Sequence, residues 1–235
     1  MTFDEFQQLV RFSIQDIYRE TFAENRESIR VKKEKTAVKN LGLIFDATLH
    51  ISNNKGFRSM TMRDLSRESG LSMGALYAYF SSKDKLLEML QHQRRTVTRR
   101  ILKERINAET DPTAKLRTAI QTHLYLSEVM QPWFYFSYME AKNLKNSEGQ
   151  KAIASELYTE KIIEEILKQG KDKGVFEISD QQLTASIIKA MIQDWYLKRW
   201  KYAKRNVSVD RYARLVLEFV EAFCLKNHVS EGTLL

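Results

Sequence analysis

A single cysteine, Cys224, occurs in 235 residues, so no disulfide can form within the chain and no cysteine-based zinc cluster can assemble. A reducing, cytoplasmic setting fits that scarcity. Only two prolines and eight glycines are present, which leaves few places to punctuate the chain. Long helices joined by short turns are therefore favoured over many short strands, and an all-α fold is expected. No uncharged apolar run approaches the roughly 20 residues that span a bilayer; "VMQPWFYFSYM" is the longest. The opening "MTFDEFQQLV" places acids where a secretion signal needs basic residues, so a soluble, intracellular protein without a membrane partner is expected. The histidines at 50, 92, 123 and 228 share no metal-ligand spacing, and the chain lacks H-E-x-x-H, G-x-S-x-G, P-loop and G-x-G-x-x-G motifs. Neither an enzyme, a metal site nor a cofactor is expected.

Charge is unevenly distributed. The net charge is +8, yet residues 30 to 105 hold 17 Lys or Arg against 7 Asp or Glu, which leaves the other 159 residues slightly acidic. A basic face on one segment of an otherwise neutral chain suits a polyanion, either nucleic acid or an anionic membrane surface. A merely solvated basic surface is the plainer explanation.

Apolar spacing predicts helices throughout. Phe3, Phe6, Val10, Ile14, Ile17, Tyr18 and Phe22 recur every three or four residues and form one stripe that needs a partner surface. Two uses of that first helix are open: packing across the following domain or a dimer to stiffen it, or docking on another protein. "RESIRVKKEKT" reads as a basic linker, and Val38, Leu41, Phe45 and Leu49 then define a helix from Thr36 to about Ser52. Further helices are predicted over 61–69, 73–80, 82–106, 113–130, 133–144, 148–170, 180–204 and 209–226. Three segments follow: 1–35, an additional helix with its linker; 36–106; and 107–235, with "NAETDPT" at the boundary.

Within "TMRDLSRESGLSMGALYAYFSSKDKLLEML", Thr61 can cap one short helix, Gly70 can end it in the left-handed conformation, and Ser72 can cap the next. Helix, tight turn and small second helix are the helix-turn-helix arrangement, whose second helix enters the DNA major groove. Met73, Gly74 and Ala75 keep the start of that helix slim, while Leu65, Leu71 and Leu76 lie underneath. Tyr77 and Tyr79 offer hydroxyls to phosphates, and Lys83 brings charge to the start of the next helix.

From Gly56–Phe57 through Thr61, Leu65, "SGLSMGALYAYF", Lys83, Leu86 and Leu87, the chain resembles the DNA-binding domain of the tetracycline-repressor (TetR) family. The resemblance covers about residues 36 to 90. It implies an N-terminal helix-turn-helix domain with a C-terminal helical ligand-binding and dimerisation domain. Carried over position by position, it implies phosphate contacts at Thr61, Arg63, Tyr77 and Lys83 and groove contacts at Met73, Gly74, Ala75 and Tyr79; Ser72, at the start of the same helix, is also an expected DNA contact. The N-terminal 35 residues depart from the common family pattern.

In the C-terminal part, Trp133, Phe134, Tyr135, Phe136, Tyr138 and Met139 crowd into seven positions, too many for one buried stripe. A cavity, a partner or an ordinary core uses them. With His123, Met191 and Trp195, the residues Trp133, Phe134, Phe136, Tyr138 and Met139 are the expected effector contacts, suited to a large apolar small molecule. Ile188 and Ile192 on one helix and Leu215, Phe219 and Phe223 on the last are the expected homodimer contacts, as the family resemblance implies. "DWYLKRWKY" and "VDRYARLVLEFVEAF" are also similar to family members that answer to fatty acyl-coenzyme A. Lys198, Arg199, Lys201, Lys204 and Arg205 would then serve an anionic head group, or else form a solvated helix end. The expected function is a transcriptional regulator, a repressor that binds a palindromic double-stranded DNA operator as a dimer and is released by a small apolar or acyl-type effector. An architectural or membrane-associated helical DNA-binding protein without an effector is the alternative.

Overall fold

Thr2 and Glu5 start the first helix by exchanging hydrogen bonds: the Thr2 hydroxyl accepts from the Glu5 N–H at 3.3 Å, and the Glu5 carboxylate accepts from the Thr2 N–H at 2.7 Å. This helix, α1 (Phe3–Glu24), belongs to a computed structural model that describes residues 1–141 and 146–225, without the side chains of residues 11–15, 146–148 and 152. The side chain of Ile14 in the expected stripe, the end of the helix expected over 133–144, Lys226 and His228 lie outside what is described. The other helices are α2 (Glu34–Lys55), α3 (Met62–Ser69), α4 (Met73–Leu76), α5 (Lys83–Asn107), α6 (Pro112–Val129), α7 (Gln131–Glu140), α8 (Asn146–Asp172), α9 (Gln181–Leu197), α10 (Arg199–Lys204) and α11 (Val209–Cys224). Among the described residues there is no strand, only an isolated antiparallel bridge between Phe176 and Leu225. The fold is all-α.

The chain divides into two compact units that do not follow chain order. One holds Met1–Arg100 and Leu126–Ala154; the other holds Ile101–Tyr125 and the chain from Ser155 onward. Residues 1–35 share a unit with the helix-turn-helix, and so does α7.

In the first unit, Phe6, Val10, Ile17 and Phe22 of α1 are buried. α1 packs against α2, where the Tyr18 ring lies so close to Gly42 that a Cβ there would sit 3.4 Å from it. The Tyr18 hydroxyl donates to Asp46 at 3.1 Å; burial, then the neighbouring carboxylate, push the phenol well above its usual pKa. α1 also reaches α5. Glu24 accepts from Gln93 at 2.7 Å and lies 3.2 Å from His92, and Glu20 pairs with Arg100. α1 thus packs across its own domain.

In the second unit, α8 and α9 run side by side through a polar seam. The ammonium of Lys189, 4% exposed, donates to the Thr159 hydroxyl at 2.6 Å and lies 3.3 Å from Glu156, while Ser186 donates to Glu160 at 2.8 Å. Gly170, near the end of α8, touches the Phe176 ring: a Cβ there would fall 2.0 Å from it, so only glycine lets the chain turn back.

The helix expected over 180–204 is broken at Lys198. Asp194 accepts from Lys198 at 2.5 Å, from Lys201 at 2.6 Å and from the Tyr202 hydroxyl, which draws the following turn back toward α9. Burial raises the Asp194 pKa, but these hydrogen bonds outweigh it and hold the carboxyl at about 2. Trp195 stacks on Tyr202 with centroids 5.0 Å apart, and Tyr212 of α11 closes the cluster 5.0 Å from Trp195.

Candidate nucleic-acid interface

Both helix starts in the helix-turn-helix are fixed by a hydroxyl side chain. The Thr61 hydroxyl accepts from the Asp64 N–H at 3.1 Å and donates to the Asp64 carboxylate at 2.8 Å, and that carboxylate accepts the Thr61 N–H at 2.9 Å. Asp64 also accepts from Lys55 at 2.8 Å and lies 3.1 Å from Arg67. The Lys55 hydrogen bond, followed by those from Thr61, holds its carboxyl far below the usual range. Gly70 ends α3 at φ +70°, a left-handed conformation that side chains disfavour. The Ser72 hydroxyl then accepts from the Ala75 N–H at 3.2 Å and starts α4.

α4 is shorter than the expected 73–80, because the chain turns at Tyr77 and sends Tyr79 and Phe80 inward. Its outward face carries Met73, Gly74 and Tyr77, the last 45% exposed, with Ala75 half-buried beside them. A Cβ on Gly74 would meet nothing within 4 Å. Arg63 is exposed on α3. This face is small and carries no charged side chain.

Three expected contacts take other roles. Tyr79 is 1% exposed, so its ring belongs to the core and cannot lie against a groove. Lys83 spends all three of its ammonium donors on the backbone carbonyls of Phe57, Arg58 and Met60, at 2.9, 3.2 and 2.5 Å, and sits 5.0 Å over the Phe57 ring. Burial there lowers its pKa. It fastens the turn before α3 to the start of α5 and has no proton left for a phosphate. The Thr61 hydroxyl likewise gives its single proton to Asp64, so its role is capping.

The expected effector contacts are divided between the units. Trp133, Phe134 and Phe136 are buried in the first: Trp133 meets Phe45 edge-on at 5.6 Å, Phe136 meets Phe57 at 5.8 Å, and Arg94 lies 5.5 Å over Phe134. These rings pack α7 onto α2 and α5, the ordinary-core use. Tyr138 and Met139 face solvent. His123 and Trp195 are buried in the second unit, where Trp195 is enclosed by Tyr202 and Tyr212, and Met191 is half-buried. The second unit also holds a cleft of about 280 Å³ lined by Ile106, Ile162, Ile166 and Tyr158 together with Lys103, Lys115, Glu165, Asn107 and Gln169, which sequence spacing does not single out.

Among the expected dimer contacts, Ile188 and Ile192 are buried within the chain, 2% and 0% exposed, and cannot form an intersubunit surface. α9 carries apolar residues on two faces, and its outward one holds Leu183 and Ile187. On α11 the separation is clean: Val209, Ala213, Val216 and Val220 point inward, while Leu215, Phe219 and Phe223 point outward. α9 and α11 pack together through the hydrogen bond from the Tyr212 hydroxyl to the Met191 carbonyl, 2.7 Å, and Trp200 nearby is 70% exposed.

A short capped helix held outward on a helix-turn-helix, carried by an all-helical chain, defines a DNA-binding transcriptional regulator. "Bacterial regulatory proteins, tetR family" matches residues 44–90 and "Tetracyclin repressor-like, C-terminal domain" matches residues 109–220, together well over half of the chain. The chain belongs to the TetR family of transcriptional regulators. It is 22% identical over 192 residues to the HTH-type transcriptional regulator HbdR of Aromatoleum sp. (strain CIB), covering 82% of this chain and 76% of that protein. Its fold is similar to that of the ketosteroid transcriptional regulator KstR2 of Mycobacterium tuberculosis, with TM-score 0.72, 17% identity, and 85% and 98% of the two chains covered. It is also similar to that of the transcriptional regulator FadR from Bacillus subtilis in complex with stearoyl-CoA, with TM-score 0.61, 20% identity, and 76% and 96% covered. Among the described residues no helix is long and apolar enough to cross a membrane, and no three His, Cys, Asp or Glu side chains cluster as metal ligands.

Proposed function

We propose that this regulator is a homodimeric repressor that grips a palindromic operator with two copies of α4 and releases it when an acyl-type effector binds the second unit. The exposed, uncharged start of α4 carries this reading: Met73 and Gly74 are exposed, with open space before Gly74, and Arg63 and Tyr77 are exposed on the same helix-turn-helix. Two such helices must meet major grooves about 34 Å apart, which a two-fold dimer supplies. The outward stripes of α9 and α11 support that dimer, with Leu183, Ile187, Leu215, Phe219 and Phe223 covered by a second copy. The effector reading rests on the stearoyl-CoA bound by FadR and on the second unit's cleft, whose isoleucines suit an acyl chain and whose two lysines, against the single acid Glu165, suit an anionic group. His123 and Met191 remain proposed contacts in the same unit. Effector and operator then compete through differential affinity: a ligand preferring the state with misplaced α4 helices lowers DNA affinity, and DNA lowers ligand affinity by the same factor.

Gly74→Leu tests the recognition surface. The added side chain meets open space and glycine is a poor helix former, so the variant folds with an unchanged or higher Tm. It nevertheless blocks close approach to base edges, and the affinity for DNA from just upstream of the chain's own gene falls on the order of 100-fold. Retained selective binding by a folded Gly74→Leu protein contradicts the assignment of α4.

A further inference from the structure

The cleft in the second unit changes from apolar to polar along its depth. Ile106 at the end of α5 and Ile166 of α8 are 8% and 3% exposed, so they form its floor, and Ile162 and Tyr158, half-buried, form the wall above them. Tyr158, Ile162 and Ile166 follow one another at four-residue steps, which makes them one continuous stripe along α8. Charge stands at the opening. Lys103 of α5 and Glu165 of α8 are exposed there, and Lys115 of α6 is half-buried. Two ammonium groups against one carboxylate make the rim net positive. This gradient suits an amphiphile whose apolar part enters first and whose anionic end stays at the mouth.

The size of the cleft decides how long that apolar part is. Its volume of about 280 Å³ lies just below the range of about 300–1,000 Å³ usual for ligand sites. A methylene fills roughly the space of one water molecule in the liquid, about 30 Å³, so about nine such groups fill the cleft, and the mouth takes a share of them. We infer that the effector carries a short acyl chain, of about four to eight carbons, and that Ile162 is the residue that gauges its length. This rests on the effector reading above and names the ligand class of the same site. A chain of eighteen carbons exceeds the cleft about twofold. Ile162 is the gauge because it stands midway along the stripe and is only half-buried, so a change in its size alters the cleft without emptying the core that Ile106 and Ile166 fill. The anionic end is a free carboxylate or the phosphates carried by a coenzyme thioester, and Lys103 and Lys115 suit both.

The test measures, by isothermal titration calorimetry, the affinity of the full-length wild type, Ile162→Ala, Ile162→Phe and Lys103→Gln/Lys115→Gln for straight-chain acyl-coenzyme A thioesters of two to eighteen carbons and for the matching free carboxylates. In the wild type each added carbon tightens binding about fourfold while it enters the cleft, up to about eight carbons, and longer chains gain nothing. Ile162→Ala removes three carbon atoms from the wall and moves that limit up by roughly three carbons, whereas Ile162→Phe moves it down. Opposite shifts from two substitutions at one position do not arise from lost stability. The lysine variant weakens binding at every length and leaves the limit in place. Comparable affinity for acid and thioester identifies the carboxylate as the anionic end, a preference for the thioester identifies the coenzyme phosphates, and the same length limit in either series supports the inference. Affinity that keeps rising to eighteen carbons in the wild type, or a limit unmoved in both Ile162 variants, overturns it and leaves the effector reading standing. No binding of any acyl compound defeats the effector reading and this inference with it.

Discussion

Replacing Leu215 and Phe219 with glutamate converts the protein to a monomer that keeps its fold and loses its operator. Both side chains are more than half exposed in the single chain, so folding does not depend on them and the Tm of the dissociated variant reflects only the loss of its partner. In a two-fold interface each substitution counts twice. Burying a Leu or Phe stabilises by roughly 1.5–3 kcal/mol, so four lost side chains, with four carboxylates facing each other, weaken self-association by far more than 1,000-fold. Operator binding falls with it, because a single α4 reads only one half-site. Sedimentation velocity measures the first effect and anisotropy the second. A variant that stays dimeric shows that the apolar stripes of α9 and α11 are not the interface.

Lys83→Met lowers stability and leaves the electrostatics of DNA binding alone. In the wild type the ammonium caps the carbonyls of Phe57, Arg58 and Met60, tying the turn before α3 to the first residue of α5. Methionine keeps the length of the side chain but leaves those carbonyls to water. Hydrogen bonds to a charged group contribute about 1.5–3 kcal/mol each when buried, and the partial exposure of this site reduces the total to about 2 kcal/mol. For a chain of this size that corresponds to a Tm lower by roughly 4–8 °C. The salt slope of binding to scrambled DNA stays at the wild-type value, since no phosphate contact is removed. A slope lower by about 0.9 with an unshifted Tm restores Lys83 as a phosphate ligand.

The helices are legible because their apolar residues keep a period near 3.6 and their ends carry recognisable caps: Thr61, Gly70 and Ser72 stop and start α3 and α4 as their chemistry requires. Legibility fails where a residue's partner is distant in sequence. Lys83 resembles a phosphate ligand until the turn at 57–60 is folded against it, and Tyr79 resembles a groove contact until the chain bends after α4. α9 is apolar on two sides, so spacing alone picked the inward Ile188 and Ile192 over the outward Leu183 and Ile187. The break at Lys198 has no glycine or proline to announce it; it is made by Asp194 gathering Lys198, Lys201 and Tyr202. The bond between Arg30 and Ala78 spans the helix-turn-helix and leaves no trace in composition.

The central claim is that α4 reads a specific operator and that an acyl-type effector releases it. Fluorescence anisotropy of the purified full-length chain tests it most directly, on DNA from just upstream of its own gene and on scrambled DNA, with and without acyl-coenzyme A thioesters of increasing chain length. Selective binding that one range of chain lengths abolishes is the predicted result. Equal affinity for both DNAs contradicts the operator, and selective binding untouched by every thioester contradicts the effector.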